Sequence, residues 1–230
     1  ITYFLVPVAK KIGLYYKFLD FPDSRKTHKK PIVRIGGLAI ILGWIFAILL
    51  IFLVKPSLFN FREINSVFSF HELVFCSFLF FMIGFSDDIK RLSPYFRLFL
   101  QFIVASICWG SGLSIDYLNL NFMNLNSEPI QLSLIASYLI TSFFIVSLIN
   151  AVNWWDGLDG LATGTTIIST SFLLLINLSF YNDFSFYNSV VIVSFLGSLI
   201  GFLIYNHKPA KILMGDGGSY FYGYNLSIIS

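Results

Sequence analysis

Apolar and polar positions fall in long blocks along this chain rather than in a short alternation. Apolar runs cover 36–54, 73–86, 95–113, 132–152, 161–179 and 188–205, and another begins near 219. Residues 1–19 read as the end of an earlier span, with Lys10, Lys11 and Lys17 at its interface. A helix needs about 20 apolar residues to cross the hydrocarbon core. The 73–86 run is short of that, so its helix is expected to start near Ser69. In lipid the spans must be helices, because an open sheet edge leaves backbone groups unsatisfied. Apolar faces all round, with scattered Gly, Ser and Thr, predict close helix packing. The expected fold is all-α: a polytopic transmembrane helix bundle, residues 1–230 forming one domain with about eight spans.

Composition agrees with this pattern. Charged residues make up 12% of the 230 and hydrophobic ones 57%. Soluble domains carry about 25% charged residues, so this chain has too few to cover a water-facing surface. Cys76 and Cys108 both lie inside apolar runs, which argues against a structural disulfide. No cleavable signal peptide is visible. The chain starts at Ile1 and stops at Ser230 inside an apolar stretch, so a fragment of a longer protein, truncated at both ends, is expected.

Lys and Arg set the orientation. Lys10, Lys11, Lys17, Arg25, Lys26, Lys29, Lys30 and Arg34 precede the second span. Lys90, Arg91 and Arg97 follow the 73–86 run, and Lys208 and Lys211 follow the 188–205 run. Counting crossings places all of these on one side and only Lys55 and Arg62 on the other. The first side is therefore expected to be cytoplasmic.

The acids share this bias. Asp20, Asp23, Asp87, Asp88, Asp156, Asp159 and Asp216 map to the same side, whereas Glu63, Glu72, Asp116, Glu128 and Asp183 are scattered on the other. Three segments stand out: Gly84 to Pro94 with Asp87-Asp88, Asn150 to Leu161 with Asp156 and Asp159, and Asn206 to Ser219 with Asp216. Each is expected to couple carboxylates to a tight polar connection between two spans. An ionised Asp is costly inside the membrane, and Asp87 and Asp88 repel each other. A divalent cation would relieve that repulsion, and Mg2+ is commonly shared between carboxylates and substrate phosphates. Backbone N–H groups along Gly215 to Gly218, just ahead of a helix, would suit a phosphate. Plainer roles compete with these: an Asp at a helix start is often an N-cap, Gly-rich connections are often turns, and basic residues can merely obey the positive-inside rule.

Taken in order, these segments resemble the polyprenyl-phosphate N-acetylhexosamine-1-phosphate transferases, the WecA/TagO-like branch of a superfamily that also contains MraY (glycosyltransferase family 4). The resemblance rests on Asp23-Ser24-Arg25-Lys26-Thr27-His28-Lys29-Lys30-Pro31 with Arg34-Ile35-Gly36-Gly37, and on Asp87-Asp88 with Leu92-Ser93-Pro94 and Arg97-Leu98. It continues through Asn150, Asn153 and Asp156-Gly157-Leu158-Asp159-Gly160-Leu161-Ala162. Its last part is Gly201-Phe202-Leu203, Asn206, Pro209-Ala210-Lys211 and Met214-Gly215-Asp216. The MraY branch typically has Thr-Pro-Thr-Met-Gly-Gly where this chain has Ile32-Val33-Arg34-Ile35-Gly36-Gly37, which points away from the peptidoglycan-precursor enzyme. Family members have ten or eleven helices and a His-rich cytoplasmic loop beyond the third motif, so the activity of this stretch alone is in question.

The resemblance implies an enzyme of the bacterial inner membrane with its site on the cytoplasmic face. The implied reaction is UDP-sugar plus polyprenyl phosphate giving polyprenyl-diphospho-sugar plus UMP, a first membrane step of cell-surface polysaccharide synthesis such as O-antigen or teichoic acid. It implies Mg2+, with Mn2+ as an alternative, a possible homodimer, and no nucleic-acid partner. Asp216 and Asp88 are the expected metal ligands, and Asp87 the group that deprotonates or orients the lipid phosphate. His28, Lys29, Asn150, Asn153, Asp156, Asp159, Asn206, Lys211 and Gly215 are the expected substrate contacts. Two alternatives come from other classes. An ion-coupled transporter would keep its acids near the midplane between inverted repeats, and no repeat is seen. A CDP-alcohol phosphotransferase would need an Ala-Arg pair after Asp156-Gly157, which is absent.

Overall fold

A computed structural model describes residues 1–22, 30–54, 70–118, 129–179 and 183–230. Among these, eight helices are joined by short connections: α1 Thr2–Tyr15, α2 Gly36–Val54, α3 Phe70–Lys90, α4 Pro94–Gly110, α5 Leu134–Trp155, α6 Leu161–Ser179, α7 Asp183–Asn206 and α8 Gly215–Ile229. Two-residue strands β1 (Leu19–Asp20) and β2 (Ile32–Val33) pair antiparallel, as do β3 (Tyr117–Leu118) and β4 (Ile130–Gln131). Four of the described helices are long and apolar enough to cross a membrane: α2, α5, α6 and the part of α7 from Asn188. This is the expected all-α polytopic membrane bundle.

Helix α8 is the central element. It packs chiefly on α3 and α5, and its residues from Gly217 to Ser227 are all buried. Such contact needs small residues, since backbone approach is limited by side chains. A Cβ on Gly84 of α3 would overlap the Asp216 carbonyl, and one on Gly223 would overlap Ile149 of α5. Helix α4 starts where Ser93 accepts the Phe96 N–H and Pro94 takes the first position. Ser133 does the same for α5 by accepting from Ala136.

The segment between α7 and α8 is stitched to the β1–β2 hairpin. Leu213 N–H donates to the Val33 carbonyl at 2.8 Å, Gly36 N–H to Leu213 at 2.9 Å, and Gly37 N–H to Met214 at 2.8 Å. From the other side, Asn206 Nδ2 donates to the Ile212 carbonyl at 3.1 Å. These bonds fix where α8 begins. Gly215 there has φ +77°, and a Cβ would lie 2.5 Å from the Arg34 carbonyl oxygen. Both the backbone sign and the space require glycine.

One boundary differs from expectation. The pair Asp87-Asp88 is not in a connection: α3 continues one turn past its apolar run, to Lys90, and carries both acids. Acids in a last turn oppose the helix dipole. Here partners from α4, α8 and the β2–α2 junction offset that cost.

Candidate functional site

The C-terminal ends of α3, α5 and α7 and the N-terminal ends of α4 and α8 come together with the β1–β2 hairpin region at the acidic cluster. Asp88 is the structural hinge of this face. Its side chain is 4% exposed, and its Oδ1 and Oδ2 accept the N–H groups of Asp216 and Gly217, each at 3.0 Å. A carboxylate from α3 thus caps the N-terminus of α8, where the dipole favours negative charge. This corrects the expectation that these N–H groups await a phosphate: two of them are already taken by Asp88.

Asp216, in the first turn of α8, is the convergence point. Its Oδ1 accepts from Arg34 Nη2 and from Asn153 Nδ2, both at 2.9 Å. Its Oδ2 lies 3.8 Å from Arg97 Nη1. The same Arg97 nitrogen donates to Asp87 Oδ2 at 2.6 Å, while Asp87 Oδ1 accepts the Leu92 N–H at 2.7 Å. Arg34 Nε stands 3.2 Å from Asp88 Oδ1, and its Nη1 lies 3.9 Å from Asp20 Oδ1. Arginine suits this position because its planar fork serves several carboxylates at once. Burial works against the Arg34 charge, yet Asp216, Asp88 and Asp20 together raise its pKa further.

Two cavities open on this cluster. One, of about 610 Å³, is lined by Asp87, Asp88 and the basic Lys17, Arg91 and Arg97. The other, of about 250 Å³, is lined by Asn153, Trp154, Asp156, Asp159, Asn206 and Leu213. Asp20, Arg34 and Asp216 border both. Burial pushes the Asp156 carboxyl well above the usual carboxylate range; Arg34 opposes this, and Asp216, Asp88 and Asp159 add to it.

The expected substrate contacts divide sharply. Asn153, Asp156, Asp159 and Asn206 border the smaller cavity. Two of these also have structural duties: Asp159 Oδ2 accepts the Ala210 N–H at 3.0 Å, and Asn206 Oδ1 accepts from Thr163 at 3.0 Å. Asn150 does not reach either cavity. Its amide donates to Gln101 Oε1 at 2.6 Å and to the Val146 carbonyl at 2.8 Å, which ties α5 to α4. Asn150 and Asn153 are one turn apart, but their amides diverge: that of Asn153 donates to Asp216 and Ser219 of α8, that of Asn150 to α4. Gly215 sits under the cluster as backbone. The Lys211 side chain is exposed and borders neither cavity. His28 and Lys29 lie outside the described residues.

Arg34, Arg97, Asp20 and Trp154 belong to the site without having been assigned a role from sequence. The two arginines stood in the matched motifs. Their signal was being Arg rather than Lys at a face rich in carboxylates, where a guanidinium pairs better.

For a metal, the donor chemistry fits in kind. Asp87 and Asp216 present hard carboxylate oxygens that converge on the same Arg97 nitrogen. Among the described residues no group of three His, Cys, Asp or Glu forms a ready cage.

Comparison with known proteins adds identity to this geometry. The family model described as Glycosyl transferase family 4 matches residues 70–230. A probable undecaprenyl-phosphate N-acetylglucosaminyl 1-phosphate transferase of Bacillus subtilis is 33% identical over 98% of this chain and 58% of its own length. A decaprenyl-phosphate N-acetylglucosaminephosphotransferase of Mycolicibacterium smegmatis is 31% identical over the whole chain and 57% of its own length. A phospho-N-acetylmuramoyl-pentapeptide-transferase of Chlamydia muridarum is 43% identical, but over only 36% of this chain and 25% of its own. The chain thus spans somewhat over half the length of the relatives it matches along its whole extent.

Proposed function

The chain belongs to glycosyl transferase family 4, and we propose that the protein it represents transfers N-acetylglucosamine 1-phosphate from a UDP-sugar to a polyprenyl phosphate, releasing UMP. One observation carries this reading. Asp87, Asp88 and Asp216 are gathered with Arg34 and Arg97 at the seam of two adjoining cavities on one face of a membrane bundle. Two substrates that meet through phosphates need such a seam, and one of them must come from the lipid.

In this mechanism an acceptor phosphate oxygen forms a bond to the β-phosphorus of the donor. The bond from that phosphorus to the bridging oxygen breaks, and UMP leaves with the electron pair. Positioning and charge neutralisation supply most of the catalysis in such transfers. The acceptor phosphate enters the cavity with Lys17, Arg91 and Arg97, where Asp87 accepts or steers its remaining proton. The donor occupies the cavity with Asn153, Asp156 and Asp159. Arg34 and Arg97 neutralise charge on the phosphates while keeping Asp216 and Asp87 in place. Asp216, with Asp87 and the remaining lone pairs of Asp88, would hold Mg2+. That ion would supply charge neutralisation on the diphosphate and a fixed geometry for it. The site faces the cytoplasm of a bacterial inner membrane, on the side with the Lys and Arg excess.

The experiment is UMP release by the full-length protein in membranes, given UDP-GlcNAc and undecaprenyl phosphate with and without Mg2+. Release that needs both substrates and the cation is expected. Release without acceptor would show a different reaction.

A further inference from the structure

The lining of the smaller cavity includes one aromatic side chain, Trp154. Trp154 stands in the last turn of α5, between Asn153 and the loop that carries Asp156 and Asp159. It is 81% exposed, yet it borders the cavity together with those three polar residues. No ring contact to it is made among the described residues, so its indole face is open. The neighbouring Trp155 is 46% exposed and does not border the cavity. Tryptophan is common at a membrane interface. That preference accounts for Trp155. It does not account for a second indole set over a polar, carboxylate-lined cavity.

A planar heterocyclic base offers what such a wall can use. Its π-face stacks on indole, and the free energy comes from stacking rather than from one matched hydrogen bond. Its polar edge, and the hydroxyls of a ribose, can hydrogen-bond to the side-chain oxygens of Asp156 and Asp159. Arg34 and Asp216, which border the same cavity, would then meet the phosphate end of the same molecule.

We infer that Trp154 is the aromatic platform on which the donor's nucleobase stacks, and so a donor-affinity and specificity residue. This rests on the reading that the donor is a nucleotide sugar. The test uses the full-length protein in detergent with two probes, UMP and N-acetylglucosamine 1-phosphate, whose binding is measured without turnover. Trp154→Ala is expected to weaken UMP binding, and raise the donor KM, about tenfold. Binding of the baseless sugar phosphate and the acceptor KM should stay at wild-type values. Trp154→Phe should recover most of the loss, and Trp155→Ala should bind UMP as wild type does. Wild-type UMP affinity in Trp154→Ala would overturn the inference and leave Trp154 as an interfacial anchor only, with the transfer reaction untouched. Equal losses in Trp154→Ala and Trp154→Phe, or a matching loss for the baseless probe, would overturn it too. A wild-type protein that binds UMP Trp154-dependently but transfers nothing would sink the reaction and keep the platform.

Discussion

Asp88 holds Asp216 by its backbone: the Asp88 Oδ1 accepts the Asp216 N–H at 3.0 Å, across 128 positions of sequence. Its other oxygen takes the next N–H, that of Gly217. The last turn of α3 and the first turn of α8 are thereby locked together, and the side chain of Asp216 is aimed at Arg34, Arg97 and Asn153. Asp87, one residue away, has a different task. It faces the larger cavity through Arg97.

Asp88→Asn keeps the shape but turns one acceptor into a donor that faces backbone N–H groups. The change should cost about 1–3 kcal/mol of stability. It should also lower kcat by more than it changes either KM, because Asp216 is displaced rather than removed. Thermal unfolding in detergent and steady-state kinetics check both halves. A fully stable variant with a normal rate would contradict the capping role.

Gly84→Ala should be severely disruptive, since its Cβ would overlap the Asp216 carbonyl where α3 and α8 touch. Overpacking of this kind costs about 1–3 kcal/mol or more. Gly110→Ala is the matched control, with nothing within 4 Å of the added carbon. Comparing the unfolding temperatures of the two variants checks the prediction; equal effects would contradict the close helix contact.

Arg34→Lys preserves charge and loses the fork that reaches Asp88 and Asp216 together. We expect the rate of UMP release to drop about tenfold or more. A lysine variant with wild-type rate would show that only net charge matters at this position.

Asn150→Ala and Asn153→Ala should separate cleanly, although the residues are one turn apart. The first loses the tie to Gln101 and should reduce stability by about 1 kcal/mol with unchanged donor KM. The second removes a donor to Asp216 and should lower kcat. Donor KM, kcat and unfolding temperature for the pair are the measurements; a raised donor KM in Asn150→Ala would return it to the substrate site.

These cases also mark what the sequence makes legible. Helices α2 and α6 follow their apolar runs residue for residue, 36–54 and 161–179, because burial in lipid is read directly from hydropathy. The end of α3 does not, because Asp87 and Asp88 are kept helical by partners on α4 and α8 that no local pattern reveals. The gathering of acids at one face was legible from topology alone. Which Asn of the 150/153 pair donates to α8 depends on how α5 is rotated in the bundle. Two all-round apolar helix faces give no periodicity from which to read that rotation. The capture of the α8 N–H groups by Asp88 was likewise hidden, since a Gly-rich helix start looks the same whether a side chain or a phosphate caps it.

Asp216 borders both cavities, and the proposed phosphoryl transfer makes it the pivot between them. The most direct test of that role is Asp216→Asn in the full-length protein. UMP release from UDP-GlcNAc would be measured with undecaprenyl phosphate across a Mg2+ series, with an unfolding curve taken alongside. We expect a folded variant whose rate falls on the order of a thousandfold and is not restored by added Mg2+. A folded variant with near-normal, Mg2+-dependent UMP release would remove Asp216 from that role.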